Sequence, residues 1–141
     1  MARALVALQF LATAAVLFPA GRPGSLVTGL LVAAAGVIWI GWTVRFNRWG
    51  NFNVRPEPRA GARLVTDGPY RWVRHPMYLG SLVIGLGACI AGPQAWRLAA
   101  WLVLSATLVA KARREERGLL AQFPDYAAYR RSCRFLIPGL W

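Results

Sequence analysis

Charge and apolar character are segregated along this chain. Ala4 to Gly21, Pro23 to Val44 and Pro76 to Trp96 hold no Asp, Glu, Lys, Arg or His, and Ala95 to Ala110 holds only Arg97. Two basic blocks separate and follow these runs. The first, Arg45 to His75, contains Arg45, Arg48, Arg55, Arg59, Arg63, Arg71 and Arg74. The second is the tail after Ala110, with Lys111, Arg113, Arg114, Arg117, Arg130, Arg131 and Arg134. A bilayer core of about 30 Å takes about 20 helical residues. The pattern predicts an all-α integral membrane protein with about four transmembrane helices. It reads as one domain over 1–141: two N-terminal spans in 1–44, a basic cytoplasmic loop in 45–75, and a helical hairpin with a C-terminal segment in 76–141.

Composition supports this and excludes other classes. Of the 141 residues, 57% are hydrophobic, which rules out a disordered chain. Two cysteines cannot make a disulfide framework. Cys89 falls in a span and Cys133 in the tail, so no disulfide is expected between them. The net charge of +12 suits a nucleic-acid binder, but the long uncharged stretches do not, and no nucleic-acid partner is expected. One His and two distant Cys give no zinc-ligand pattern.

The first run has a second reading as a cleaved signal peptide, with Arg3 as its basic region. Its length and the span directly behind it favour a retained helix. Trp39 and Trp42, near the end of the second run, suit the headgroup zone. Gly92-Pro93-Gln94 punctuates the third run. The spacing predicts a hairpin: Pro76 to Ala91, a turn, then Ala95 onward, continuing as a cytoplasmic helix to about Gln122. Ser81, Gly85, Ala88 and Gly92 form a small-residue stripe of the kind that lets membrane helices approach. Basic loops stay cytoplasmic. Both termini and the 45–75 loop are therefore expected inside, in a multi-pass protein. A composition rich in Ala and Arg suits a GC-rich bacterial genome, and the expected location is then a bacterial inner membrane.

Two places look chemical. In Gly68-Pro69-Tyr70-Arg71-Trp72-Val73-Arg74-His75-Pro76-Met77-Tyr78-Leu79-Gly80, Pro76 suits the first turn of a helix. His75 then sits where free backbone N–H groups gather. The alternative is an Arg-rich interfacial loop with a helix-starting proline. The second place is Glu116. At about 100° per residue it lies inside an apolar stripe of Val109, Ala112, Leu119, Leu120 and Phe123. A buried acid needs a partner, and Arg113, three residues back, is one candidate. Glu115 falls on the flank, where a solvated acid is expected. Tyr126 and Tyr129 can cover one helical face or anchor the tail at the interface.

Taken in order, GPYRWVRHPMYLG, the short hairpin and REERGLLAQFPDYAAYRRSCRFLIP resemble the integral membrane methyltransferases, the family of isoprenylcysteine carboxyl methyltransferases and phospholipid N-methyltransferases. The resemblance covers roughly residues 64 to 138. It implies a helical membrane bundle whose C-terminal half encloses S-adenosylmethionine at the cytoplasmic face, with a lipid-like acceptor entering from the bilayer. It implies that Tyr70, His75, Pro76, Tyr78 and Glu116 line the cofactor pocket, with Leu136 and Pro138 in the segment closing over the adenosine. His75 and Glu116 are the implied catalytic groups. Where members often read Arg-Val-Pro, this chain has Arg131-Ser132-Cys133-Arg134. Arg131 and Arg134 are the expected contacts to an acceptor carboxylate.

The acceptor is either a prenylcysteine-type carboxylate, already ionised, or a phospholipid amine, which must lose a proton to attack. No metal is required. Two other readings stand beside this one. Sterol reductases that use NADPH share a similar Arg-His-Pro hairpin but differ after the acidic pair. A non-catalytic protein binding anionic membrane lipids would also use the arginines.

Overall fold

The computed structural model describes residues 2–19, 24–47 and 63–137. Pro138 lies outside them, as do Arg48, Arg55 and Arg59 of the basic loop. The described residues form four long helices and one short one: α1 (Ala2–Leu17), α2 (Leu26–Phe46), α3 (Pro76–Ala91), α4 (Ala95–Gln122) and α5 (Tyr126–Ser132). No β-sheet occurs among them; Val73 and Arg134 make one isolated parallel bridge. The all-α expectation holds. By length and composition, α2 and α4 can cross a membrane, while α1 and α3 are shorter apolar helices. Such a fold supports membrane association.

The hairpin boundaries fall where the punctuation placed them, at Pro76, Ala91 and Ala95. Helix α3 packs antiparallel on α2, and the contact runs through glycines. Gly36 and Gly80 face each other, and so do Gly29 and Gly87. A Cβ on Gly87 would lie 2.6 Å from the Gly29 carbonyl oxygen and 2.7 Å from the Ala33 nitrogen. Both pairs are spaced seven residues apart, which keeps them on one helical face. The expected stripe along Ser81, Gly85 and Ala88 serves another neighbour: a Cβ on Gly85 would meet Trp101 of α4 at 2.8 Å and Val16 of α1 at 3.3 Å.

Helix α1 packs on α4, also antiparallel. At one end Arg97 ties three helices together. Its guanidinium donates to the carbonyl oxygens of Phe18 (2.7 Å), Ala88 (3.2 Å) and Gly92. These carbonyls lie at the ends of α1 and α3, where helices leave acceptors unsatisfied. The one charge in the apolar run from Ala95 to Ala110, Arg97, is thus a buried residue of α4. Near the other end Lys111 donates to Gln9 of α1. That second end also carries the polar chemistry, because the N-terminus of α3, the extension of α4 and α5 all meet there.

Candidate active site

The site begins with a turn that only glycine suits. Gly68 has φ of 60°, and a Cβ there would sit 2.6 Å from the Phe46 ring. The chain then passes through a 3₁₀ turn, Gly68–Arg71, and reaches His75 just before Pro76 opens α3. Trp39 of α2 donates its indole N–H to the Pro76 carbonyl at 2.9 Å, which holds the α3 entrance against α2.

Glu116 projects from α4 toward this entrance. The apolar run of α4 ends at Ala110, so Glu116 stands more than a turn beyond it. Its carboxylate is buried and heavily paired. Arg74 Nε lies 2.6 Å from Oε1, His75 Nε2 lies 3.3 Å from the same oxygen, and Arg130 Nε lies 3.5 Å from Oε2. Burial opposes the charge, but hydrogen bonds from His75 and Arg74 outweigh it and hold the carboxyl at about 2. Arg113 is not the partner that sequence spacing offered. The partners come from 42 residues earlier and from the tail.

Glu115 departs from the solvated position expected of it. Its carboxylate accepts from the Tyr78 hydroxyl at 3.0 Å and lies 3.8 Å from His75 Nδ1. The His75 imidazole thus stands between two acids. It also stacks on the Tyr78 ring, with centroids 5.5 Å apart, and meets the Phe135 ring edge-on at 5.3 Å.

The tail closes the site. Arg74 is the central clasp: its guanidinium also donates to the backbone oxygens of Arg130 (3.1 Å) and Cys133, and lies 5.5 Å from the Phe135 ring centre. Its backbone N–H donates to the Arg134 oxygen at 2.8 Å, and Arg134 N–H returns a bond to Trp72. Tyr129 Oη donates to the Tyr70 carbonyl at 2.6 Å, and Cys133 Sγ donates to the same oxygen at 3.1 Å. Burial pushes the Cys133 thiol up. Tyr126 is fully buried, so it is not an interface anchor. Its hydroxyl makes no hydrogen bond of normal geometry. Burial first, then the nearby Glu116 charge, push that hydroxyl well above the usual phenol range.

Among the expected residues, His75, Tyr78 and Glu116 come together directly. Pro76 and Leu136 are buried beside them, Leu136 packing with Ala112, Phe135 and the Tyr78 ring. Tyr70 lies at the tail contact through its backbone. Arg131 and Arg134 have exposed side chains outside the cluster, while Arg74 and Arg130 are the arginines at Glu116. Both cysteines are free. Sequence reasoning missed Arg74, Glu115, Tyr126 and Phe135. For Arg74 the available signal was its place next to His75 in the motif.

The profile of one protein family, described as phospholipid methyltransferase, matches residues 24–125. The chain belongs to the phospholipid methyltransferase family. The match includes both His75 and Glu116. Two curated relatives are similar over 86 residues at 37% identity. They are the cobalt-zinc-cadmium resistance protein CzcN of Cupriavidus metallidurans and the nickel-cobalt-cadmium resistance protein NccN of Alcaligenes xylosoxydans xylosoxydans. The similar region is 58% of this chain and 38% and 39% of those proteins. The chain therefore spans about two fifths of the length of the curated relatives it matches. No solved structure matches.

The donor set of this phospholipid methyltransferase family member fits S-adenosylmethionine. The cofactor combines an ammonium, a ribose diol and a carboxylate with an aromatic base. Two carboxylates, two guanidinium groups, stacked aromatic rings and the buried Tyr126 hydroxyl beside Glu116 offer complements to each.

Proposed function

We propose that this chain is an S-adenosylmethionine-dependent methyltransferase of a bacterial inner membrane, acting on an amphipathic, lipid-like acceptor at the cytoplasmic surface. The reading rests on one observation above the rest: a buried, ionised Glu116 held by Arg74, His75 and Arg130 where the hairpin meets the tail. In this reading α1 to α4 all cross or enter the bilayer, with both termini inside. The positions of the two basic blocks in the sequence, after α2 and after the apolar run of α4, support that orientation.

Glu116 and Glu115 would take the cofactor's ammonium and ribose hydroxyls. Tyr70, Pro76 and Leu136 would complete the walls beside His75 and Tyr78, and Arg74 or Arg130 would face the cofactor's carboxylate. The bound cofactor supplies an electrophilic methyl group on a sulfonium. The residues of this chain position that group and exclude water, and positioning alone removes much of the barrier to an in-line displacement. With a carboxylate acceptor no base is needed. With an amine acceptor His75 takes the proton on a ring nitrogen, and Glu115 and Glu116 stabilise the resulting imidazolium. The exposed Arg131 and Arg134 guide an anionic acceptor toward the tail.

The relatives are named for metal resistance. Among the described residues no group of three or more His, Cys, Asp or Glu can hold a metal ion. We attach no metal to this site.

The test is transfer of labelled methyl from S-adenosylmethionine into a bacterial lipid extract. Glu116→Gln should abolish incorporation. His75→Ala should lower it about 100-fold or more for an amine acceptor, and far less for a carboxylate. Undiminished turnover in both variants would refute the residue assignment.

A further inference from the structure

The segment from Gly68 to Pro76 carries Tyr70, Arg74 and His75 into the site, and one helix holds both of its ends. At the first end the Phe46 ring lies against Gly68, where a Cβ would come within 2.6 Å of it. At the second end the Trp39 indole donates to the Pro76 carbonyl at 2.9 Å. Trp39 and Phe46 both belong to α2 and stand about two turns apart. Trp42 links them. Its ring meets the Trp39 ring edge-on, with centroids 5.4 Å apart, and the Phe46 ring edge-on at 6.2 Å. Edge-to-face pairs of this kind are a favoured aromatic geometry. The result is a ladder of three rings along one face of α2.

Two features of α2 hold the top of the ladder. Gly36 and Gly80 let the backbones of α2 and α3 approach closely, one turn before Trp39, which brings the indole within reach of Pro76. The buried Thr43 hydroxyl donates back to the Trp39 carbonyl at 2.8 Å.

Fixing Pro76 fixes His75. The peptide bond between them is rigid, and a residue before proline has few backbone conformations open to it. His75 adopts φ of −123° and ψ of 60°, and its side chain makes no cap hydrogen bond to the start of α3. The backbone therefore aims the imidazole, which reaches Glu116 at 3.3 Å and lies between the Tyr78 and Phe135 rings.

We propose that Trp39 is a positioning residue for His75, and that the Trp39–Trp42–Phe46 ladder is the template on which the Gly68–Pro76 segment is set. Trp39 acts through the Pro76 carbonyl and takes no part in the chemistry itself. Its effect on cofactor affinity rests on the methyl-transfer reading, whereas its effect on the placement of His75 does not.

The experiment uses the full chain in a non-ionic detergent, as wild type, Trp39→Phe, Phe46→Leu and Trp101→Phe. The chain holds one His, so the His75 ring gives a single proton–carbon NMR signal, displaced by the Tyr78 and Phe135 rings. Each protein is compared at the same pH, and each is titrated with S-adenosylhomocysteine by calorimetry. Trp39→Phe should move the His75 signal toward its position in the unfolded chain. It should also weaken S-adenosylhomocysteine about 3- to 10-fold, the size of one neutral hydrogen bond. Phe46→Leu frees the other end of the segment and should move both readouts the same way. Trp101→Phe is the matched control. Its indole donates to the Leu82 carbonyl at 2.9 Å, the same kind of bond made further along α3, so its loss should lower stability and leave both readouts at their wild-type values.

A folded Trp39→Phe protein with the His75 signal or the S-adenosylhomocysteine affinity of wild type overturns the proposal. So does a Trp101→Phe protein that shows the same changes as Trp39→Phe, because the role is then merely structural. If Trp39→Phe does not fold, Phe46→Leu decides by the same readouts. Failure of wild type to bind S-adenosylhomocysteine would sink the methyl-transfer reading, and the His75 signal alone would then decide whether the ladder places His75.

Discussion

Acidification should loosen this protein through one residue. Glu116 is ionised in the folded chain down to about pH 2, against an ordinary value of 4.5. A group whose folded value is depressed contributes stability that is complete above its unfolded value. That stability is lost as pH falls through the folded value. The window therefore runs from about pH 5 down to about pH 2, and a gap of this size corresponds to about 3 kcal/mol. The mechanism is specific: protonation leaves Arg74 and Arg130 without their counter-charge and opens the clasp between α4, the His75 turn and the tail. Reversible SDS titration of detergent-solubilised protein, repeated from pH 7 down to pH 3, measures it. Wild type should lose most of that stability across the range, with the tail hydrogen bonds breaking first by amide exchange. Glu116→Gln should start lower, because it leaves a buried guanidinium uncompensated, and should show a much flatter profile. Parallel profiles for the two proteins would refute the argument.

Three further outcomes follow from the same contacts. Gly87→Ala should cost about 1–3 kcal/mol, because its methyl must push apart backbone atoms of α2, whereas Gly41→Ala, with nothing within 4 Å, should be neutral; the same SDS titration compares them. Arg97→Met should destabilise by about 2–4 kcal/mol, since three carbonyls lose a hydrogen bond from the guanidinium, yet leave S-adenosylhomocysteine affinity unchanged in the folded fraction. Tyr126→Phe removes a buried hydroxyl that lies against Glu116, so stability should fall by no more than about 1 kcal/mol, while cofactor affinity should fall about tenfold if that hydroxyl completes the pocket; calorimetry separates the two effects.

Glu116 was legible because an acid in the middle of an apolar helical stripe must be buried and therefore paired. The hairpin was legible because Pro76 and Gly92-Pro93 mark its ends chemically. Arg74 stood out from the six other arginines of its block only by its place next to His75, and nothing local says which acid it meets. Its role arises only when α4 brings up Glu116, 42 positions along the chain. Glu115 was misjudged because a helical wheel places it on the flank but cannot see Tyr78 reaching over from α3. The α2–α3 contact did leave a trace, the seven-residue glycine spacing in both helices, which the more obvious Ser81–Gly92 stripe obscured. The burial of Arg97 was not legible either, because the carbonyls that satisfy it inside the bundle come from helix ends that only the fold brings together.

The central claim is that the Glu116 cluster holds S-adenosylmethionine. Calorimetric titration of the purified chain with S-adenosylhomocysteine, with NADPH as the parallel ligand, tests it most directly. The account predicts saturable binding of S-adenosylhomocysteine, lost in Glu116→Ala and retained in Gly41→Ala. Binding of NADPH alone, or S-adenosylhomocysteine binding that survives Glu116→Ala unchanged, would contradict it.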